Sequence, residues 1–219
     1  MSLRHEIGLE DIVGVGGMVS YHVPQRTLSS LVDLNSQCLE LLTEQSLEKS
    51  SHGVVLREVG RLWRVLDAEA RARAAACPFL LFDAGFADPK LWCGIHADPP
   101  PNDTGAFFGV NRVQSVARQV VLFAWHLAQS NGFDAQLLLG IPVQRSNLIS
   151  AYTLSQIHQI AEGSTAWVSP RWPNRVSFWR HLLLAAASGQ LKALEAARLQ
   201  GLQLMAADVL GWRSRLTQS

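Results

Sequence analysis

A chain of 219 residues with 48% apolar and 17% charged side chains has a globular composition, long enough to bury a core and too apolar for a disordered segment. Its three cysteines, Cys38, Cys77 and Cys93, are odd in number and widely spaced, which argues against a disulfide framework and for buried thiols. The net charge of +1 hides a split, because residues 1–105 hold 9 Lys/Arg against 14 Asp/Glu whereas residues 106–219 hold 10 against 4; such asymmetry points to two domains or to one basic face for an anionic partner.

The first residues, Met1 to Glu6, lead into no apolar segment of signal-peptide length, and runs such as Leu182 to Ala187 fall far short of a bilayer span. Cytoplasmic residence without membrane contact is the expectation. Ile12-Val13-Gly14-Val15-Gly16-Gly17 is glycine-rich, but Tyr21-His22-Val23-Pro24 follows where a phosphate-binding turn would open a helix. A turn is the simpler reading.

Thr27 is the expected N-cap of a helix to about Glu48, with Leu28, Leu31, Val32, Cys38, Leu39 and Leu42 on one face. Leu56, Val59, Trp63 and Leu66 mark a second helix. Asp67 caps a third, Ala-rich one that must stop at Cys77-Pro78. Periodicity cannot assign the apolar run Phe79-Leu80-Leu81-Phe82-Asp83 to strand or helix. Asp83 and Asp88 near Phe82 and Phe86 read equally as an acidic pocket or as capping residues of a turn. Cys93-x-x-His96 has the spacing of half a zinc site without a second pair to complete it, so no metal or other cofactor is expected. The proline-rich stretch from Ala97 to Gly105 is the clearest break, and the charge changes sign there. It divides the chain into an acidic, mostly helical region over 1–104 and a basic helical region over 105–219.

In the second region Asn111 is the expected cap of a long amphipathic helix carrying Val113, Val116, Ala117, Val120, Ala124, Leu127 and Ala128, closed by Asn131-Gly132 as a left-handed C-cap. Phe133 to Glu162 then reads as three short helical runs separated by Gly140-Ile141-Pro142 and Tyr152-Thr153, with Gly163 as a final C-cap. Residues 164–175 are irregular and rich in Trp and Arg. A helix follows from Asn174 or Ser177, broken at Ser188-Gly189, and the last runs from about Gln190 to Trp212 with Leu191, Leu194, Leu202, Met205, Val209 and Trp212 on a narrow face suited to helix–helix packing. The fold class expected is therefore mainly α.

The short helices and the turn at Leu139-Gly140-Ile141 partly match a helix-turn-helix. In that reading Gln144, Arg145 and Asn147 have side chains suited to base edges or phosphates. The same pattern fits any compact helical corner. Trp167, Trp172 and Trp179 interleave with Arg171, Arg175 and Arg180, which makes either a stacking and phosphate-binding surface or core tryptophans rimmed by solvated arginines. Arg145, Arg171 and Arg175 are the candidate phosphate contacts. His126, His158 and His181 lack a carboxylate or nucleophile at relay spacing and read as structural.

The run Leu139-Gly140-Ile141, then Ala151-Tyr152-Thr153-Leu154-x-Gln156, then Ala161-Glu162, resembles the D subunit of the bacterial flagellar master transcriptional activator. Phe123-Ala124-x-His126-Leu127-Ala128 is similar to that family's dimer-forming helix, and Arg171-Trp172 falls where it has a basic-aromatic pair. The resemblance covers about 110–210. It implies an all-α, homodimeric transcription regulator without enzymatic activity that binds DNA together with a second regulatory subunit, in the control of flagella. The family's cysteine would fall at Val168, so no intersubunit disulfide is implied there, and the acidic N-terminal region has no counterpart in it. The alternative expectation is a helical protein-binding regulatory module that touches no nucleic acid.

Overall fold

The computed structural model describes residues 22–47, 62, 64–86, 92, 107–108 and 110–216, with the side chains of 46, 47, 110–112, 166 and 212–216 left aside. The protein is mainly helical. Among the described residues there are eight α-helices: α1 (Gln25–Leu47), α2 (Ala68–Ala75), α3 (Val110–Ser130), α4 (Gly132–Leu139), α5 (Val143–Ser150), α6 (Leu154–Gly163), α7 (Val176–Ser188) and α8 (Leu191–Leu216). One short antiparallel ladder joins β1 (Phe82–Asp83) to β2 (Ser169–Pro170), pairing Phe82 with Pro170 and Asp83 with Ser169. No helix among the described residues is long and apolar enough to cross a membrane.

Helix limits follow local chemistry, with four departures from the sequence expectation, the first being that α3 begins at Val110, so that Asn111 lies within it and is not its cap. α1 begins at Gln25 and not after Thr27, because the Pro24 carbonyl accepts from Thr27 N at 2.8 Å and Leu28 N at 3.2 Å. Asn131 does not close α3 in a left-handed turn. It is extended (φ −161°), and its side chain accepts from Phe133 N at 3.0 Å as the N-cap of α4. Gly163 stays right-handed (φ −80°) and passes directly into a 3-10 turn over Ser164–Trp167. The expected cap at Asp67 is present, its carboxylate accepting from Ala70 N at 2.6 Å. Leu56, Val59 and Trp63 of the expected second helix, Asp88, Cys93-x-x-His96, the glycine-rich start and the proline-rich break lie outside the described residues.

The two sequence regions share one core. A single cluster of buried side chains runs from Leu31 on α1 to Met205 on α8, and its middle is the run Phe79-Leu80-Leu81-Phe82, fully buried throughout. α3 spends its apolar face inside the chain, against α1 and against α4, α5 and α6. The charge boundary near residue 104 therefore does not mark a break in the packing.

Residues 79–83 need partners for their peptide groups, since an unpaired buried N–H or C=O is costly. Asn35 on α1, wholly buried, supplies three contacts: its Nδ2 donates to Ala75 O at 3.1 Å and Phe79 O at 2.9 Å, and its Oδ1 accepts from Leu81 N at 2.7 Å. Leu80 N donates to Leu138 O on α4 at 2.8 Å. The Phe79 ring lies so close to α8 that a Cβ on Gly201 would stand 2.1 Å from its Cζ. Glycine is required there by contact, not by backbone angle. Gly201→Ala should lower stability by about 1–3 kcal/mol through overpacking, against roughly 1 kcal/mol gained in helix propensity. Denaturant midpoints check this, and adding Phe79→Leu should recover part of the loss.

Candidate interaction surface

Phe133 to Glu162 forms a corner of three short helices, each fixed by its own cap. α4 ends at Gly140 in the left-handed region (φ 64°), where its N–H donates to Gln136 O at 3.0 Å. A side chain at that position would also meet Arg171 Nη1 at 3.2 Å, a second reason for glycine. Pro142 fixes the entry to α5, and its carbonyl accepts from Arg145 N and Ser146 N, both at 2.9 Å. Thr153 and Gln156 form a capping box at the start of α6, with Thr153 N donating to Gln156 Oε1 at 2.9 Å and Gln156 N to Thr153 Oγ1 at 3.4 Å. Tyr152 between them is held by Trp125 on α3, whose Nε1 donates to Tyr152 O at 2.9 Å, while its own hydroxyl donates to Trp92 O.

The five residues singled out for nucleic acid fall into two groups. Gln144 and Asn147 are exposed, three apart on α5, and Arg175 is exposed at the start of α7. Arg145 and Arg171 are buried, so their assignment as phosphate contacts is corrected. Arg145 lies in the packing of α5, whose neighbour α4 buries the carboxylate of Asp134. Arg171, only 7% exposed, is a structural cross-tie. Its Nε donates to Leu80 O at 3.0 Å, its Nη2 to Leu139 O at 2.7 Å, and its backbone N to Leu81 O at 2.7 Å. Burial pulls its guanidinium below the ordinary arginine range, opposed by the nearby carboxylates of Asp83 and Asp208. One side chain thus joins the central run to the end of α4.

The tryptophans divide as well. Trp179 is fully buried and donates from Nε1 to Arg171 O at 3.0 Å. Trp172 is half-buried at a positive φ of 52°, rare for a bulky residue, and is held edge-on against Phe178 (4.8 Å between centroids) and by Nε1 donation to Asp208 Oδ2 at 2.7 Å. Arg171 sits over its ring at 5.7 Å, so the basic-aromatic pair is an internal one. Arg175 and Arg180 remain on the surface. Sequence reasoning missed Asn35 and the internal use of Arg171. Spacing carries no signal for either, since their partners lie 40 or more residues away for Asn35, and 32 and 91 away for the Arg171 guanidinium.

Burial changes the electrostatic reading of the second region. Among its described residues the exposed cations are Arg118, Arg175, Arg180 and Lys192, against exposed Glu162, Glu195 and Asp208. Two further arginines of the region, Arg145 and Arg171, are buried and not displayed. Between residues 131 and 161 the only formal charges are Asp134 and Arg145, both buried. What this corner does display is apolar or neutral: Phe133 (54% exposed), Leu137, Val143 and Leu154 (53%), beside Gln144, Asn147 and Gln159.

Nothing among the described residues assembles a catalytic or metal-binding group. His126, His158 and His181 are exposed on helices, in place of the interior positions a structural histidine takes, and no cluster of three His, Cys, Asp or Glu is positioned for a metal. Asp83 caps a turn, its Oδ1 accepting from Phe86 N at 3.3 Å. Cys38 and Cys77 are buried thiols. Desolvation raises both, Cys77 to about 12 despite the opposing Arg198 guanidinium. A groove of about 530 Å³ beside α7 and α8 brings His181 Nδ1 within 3.3 Å of Gln200 Oε1; the Ser188 hydroxyl in its lining donates to Ala185 O at 3.1 Å, and no carboxylate lines it among the described residues.

Comparisons with protein-family models, with curated proteins and with solved structures found no match to this chain. Function therefore has to be argued from the surface and the residues that fix it. Arg171→Lys should lower stability by about 2–5 kcal/mol, because one ammonium cannot serve the Leu80 and Leu139 carbonyls together. Unfolding at low and high salt checks it, and the loss should persist at high salt, as a buried contact requires.

Proposed function

We propose that this chain is a non-enzymatic, cytoplasmic regulatory subunit that acts by binding another protein through the corner formed by α4, α5 and the start of α6. The observation that carries the proposal is the charge-free, partly apolar face of that corner. Interface cores are depleted in charge and enriched in large apolar side chains, with neutral polar groups at the rim. Phe133, Leu137, Val143 and Leu154 match the first part and Gln144, Asn147 and Gln159 the second. The likeness to the flagellar activator's D subunit supports the same reading, since that family works with a second subunit, and the likeness is centred on this stretch.

A photo-crosslinking amino acid placed at Phe133 or Leu137 in native cells should give one discrete adduct heavier than the chain by a different protein's mass. The same probe at Arg180 should give none, and Leu137→Asp should abolish the adduct formed from position 133 while leaving the melting temperature within a few degrees. Equal labelling at all positions, or an adduct of twice the chain mass, would overturn the proposal.

A second reading, direct DNA contact, is favoured by the exposed pair Gln144 and Asn147 on α5 with Arg175 outside. Its expected signature is fluorescence-anisotropy binding to duplex DNA that weakens steeply with salt. Arg175→Ala should weaken all sequences alike, whereas Gln144→Ala and Asn147→Ala should relax sequence preference by about 1–3 kcal/mol per lost base contact. Absence of binding at low salt removes this reading.

A further inference from the structure

Trp172 is the one non-glycine residue among those described with a positive φ, 52°, and it stands immediately before Pro173. Both facts oppose that conformation, since a bulky side chain is strained there and proline drives the residue before it toward an extended backbone. Such a residue persists only where its surroundings hold it from several sides. The indole lies edge-on to Phe79 (5.9 Å between centroids) and to Phe178, its Nε1 donates to Asp208 Oδ2 on α8 at 2.7 Å, and the Trp172 carbonyl accepts from Arg175 N at 2.9 Å.

The strained residue sets the position of its neighbour. Arg171 reaches Leu139 O at the end of α4 through Nη2 at 2.7 Å, and its Nη1 lies 3.2 Å from where a side chain on Gly140 would begin. Met205, one turn before Asp208 on α8, stands 3.7 Å from that same position. The Asp208 carboxylate also offsets part of the desolvation of the Arg171 guanidinium. The turn of α8 from 205 to 208, the segment 171–175 and the end of α4 thus form one connected set of contacts, and α4 carries exposed Leu137.

We propose that the segment 171–175 is a two-position clasp that regulates the α4–α6 corner, an inference that rests on the binding role proposed for that corner. With the indole on Asp208, Arg171 holds Leu139 O and the corner keeps its docking shape. When that contact breaks, Trp172 relaxes to a negative φ, the main chain turns beside Arg171, and the guanidinium leaves Leu139 O. The end of α4 is then released. Strain relief offsets part of the lost contacts, which keeps the second position within reach at equilibrium. A partner seated on the corner favours the first position, and by linkage the Asp208 contact favours the partner.

Hydrogen exchange in the full-length protein tests the clasp without any partner. Asp208→Ala should speed amide exchange over 133–140 by about tenfold, as loss of one hydrogen bond to a charged group would, while α1 and α6 exchange as before. Asp208→Asn keeps an acceptor for the indole and should restore the original pattern. The adduct yield from a photo-crosslinker at position 137 should fall by a similar factor in Asp208→Ala and return in Asp208→Asn. Faster exchange spread evenly over all helices, unchanged exchange over 133–140, or Asp208→Asn behaving as Asp208→Ala would overturn the clasp. Absence of any adduct from position 137 with Asp208 intact removes the binding role of the corner, and the exchange pattern still decides whether the clasp exists.

Discussion

The fold depends on satisfying the peptide groups of one extended run, Phe79 to Asp83, which crosses the centre of a helical protein without a sheet wide enough to serve it. Only Phe82 and Asp83 find a ladder partner. The rest is met piecemeal by the Asn35 amide, by Leu138 O and by two contacts from Arg171. A buried donor or acceptor left unpaired costs about 1–3 kcal/mol, comparable with a substantial share of a domain's net stability. The helices are consequently arranged around the run. α1 supplies Asn35, α4 ends on the Arg171 guanidinium, and α8 offers a glycine where the Phe79 ring must pass.

This arrangement changes what the charge pattern means. A sequence count credits residues 106–219 with a large positive excess, and arginine in a basic half invites a nucleic-acid role. Arg171 is, however, a desolvated donor to main-chain carbonyls, and Arg145 is buried on a helix whose neighbour buries Asp134. Arginine suits such positions because its planar donors reach several acceptors at once without losing the proton. Among the described side chains of that half, the exposed cations Arg118, Arg175, Arg180 and Lys192 stand against the exposed carboxylates of Glu162, Glu195 and Asp208.

What was legible in the sequence was whatever local chemistry decides. The amphipathic stripe of α3, the Asp67 cap and the break at Gly189 follow from periodicity and turn preference within a few residues. Asn131 shows the limit. Asparagine serves both ends of a helix, and its role was settled only by Phe133 N offering a donor to its side chain. Gly163 shows another, since the chain continues from α6 into a 3-10 turn without needing a left-handed residue. The run 79–83 lacked any periodicity because it is buried on all sides, and Asn35 sat unremarked within an apolar helical face. The split into two regions misled for the same reason, since charge reports on surfaces whereas the core follows apolar contacts across the boundary.

The candidate surface inherits its rigidity from that interior. The carbonyl end of α4 is fixed by Arg171, the turn into α5 by Gly140 and Pro142, and the start of α6 by the Thr153–Gln156 box. Exposed Phe133, Leu137, Val143 and Leu154 are thus carried on backbone held from below and not on a loop. A pre-organised apolar face loses less conformational entropy when it docks, which favours recognition by shape over recognition by charge. Removal of Asp134 and Arg145 from that surface has the same consequence, since no fixed charge there would need to be desolvated by a partner. The interior that consumes the arginines is in this way the source of the neutral face.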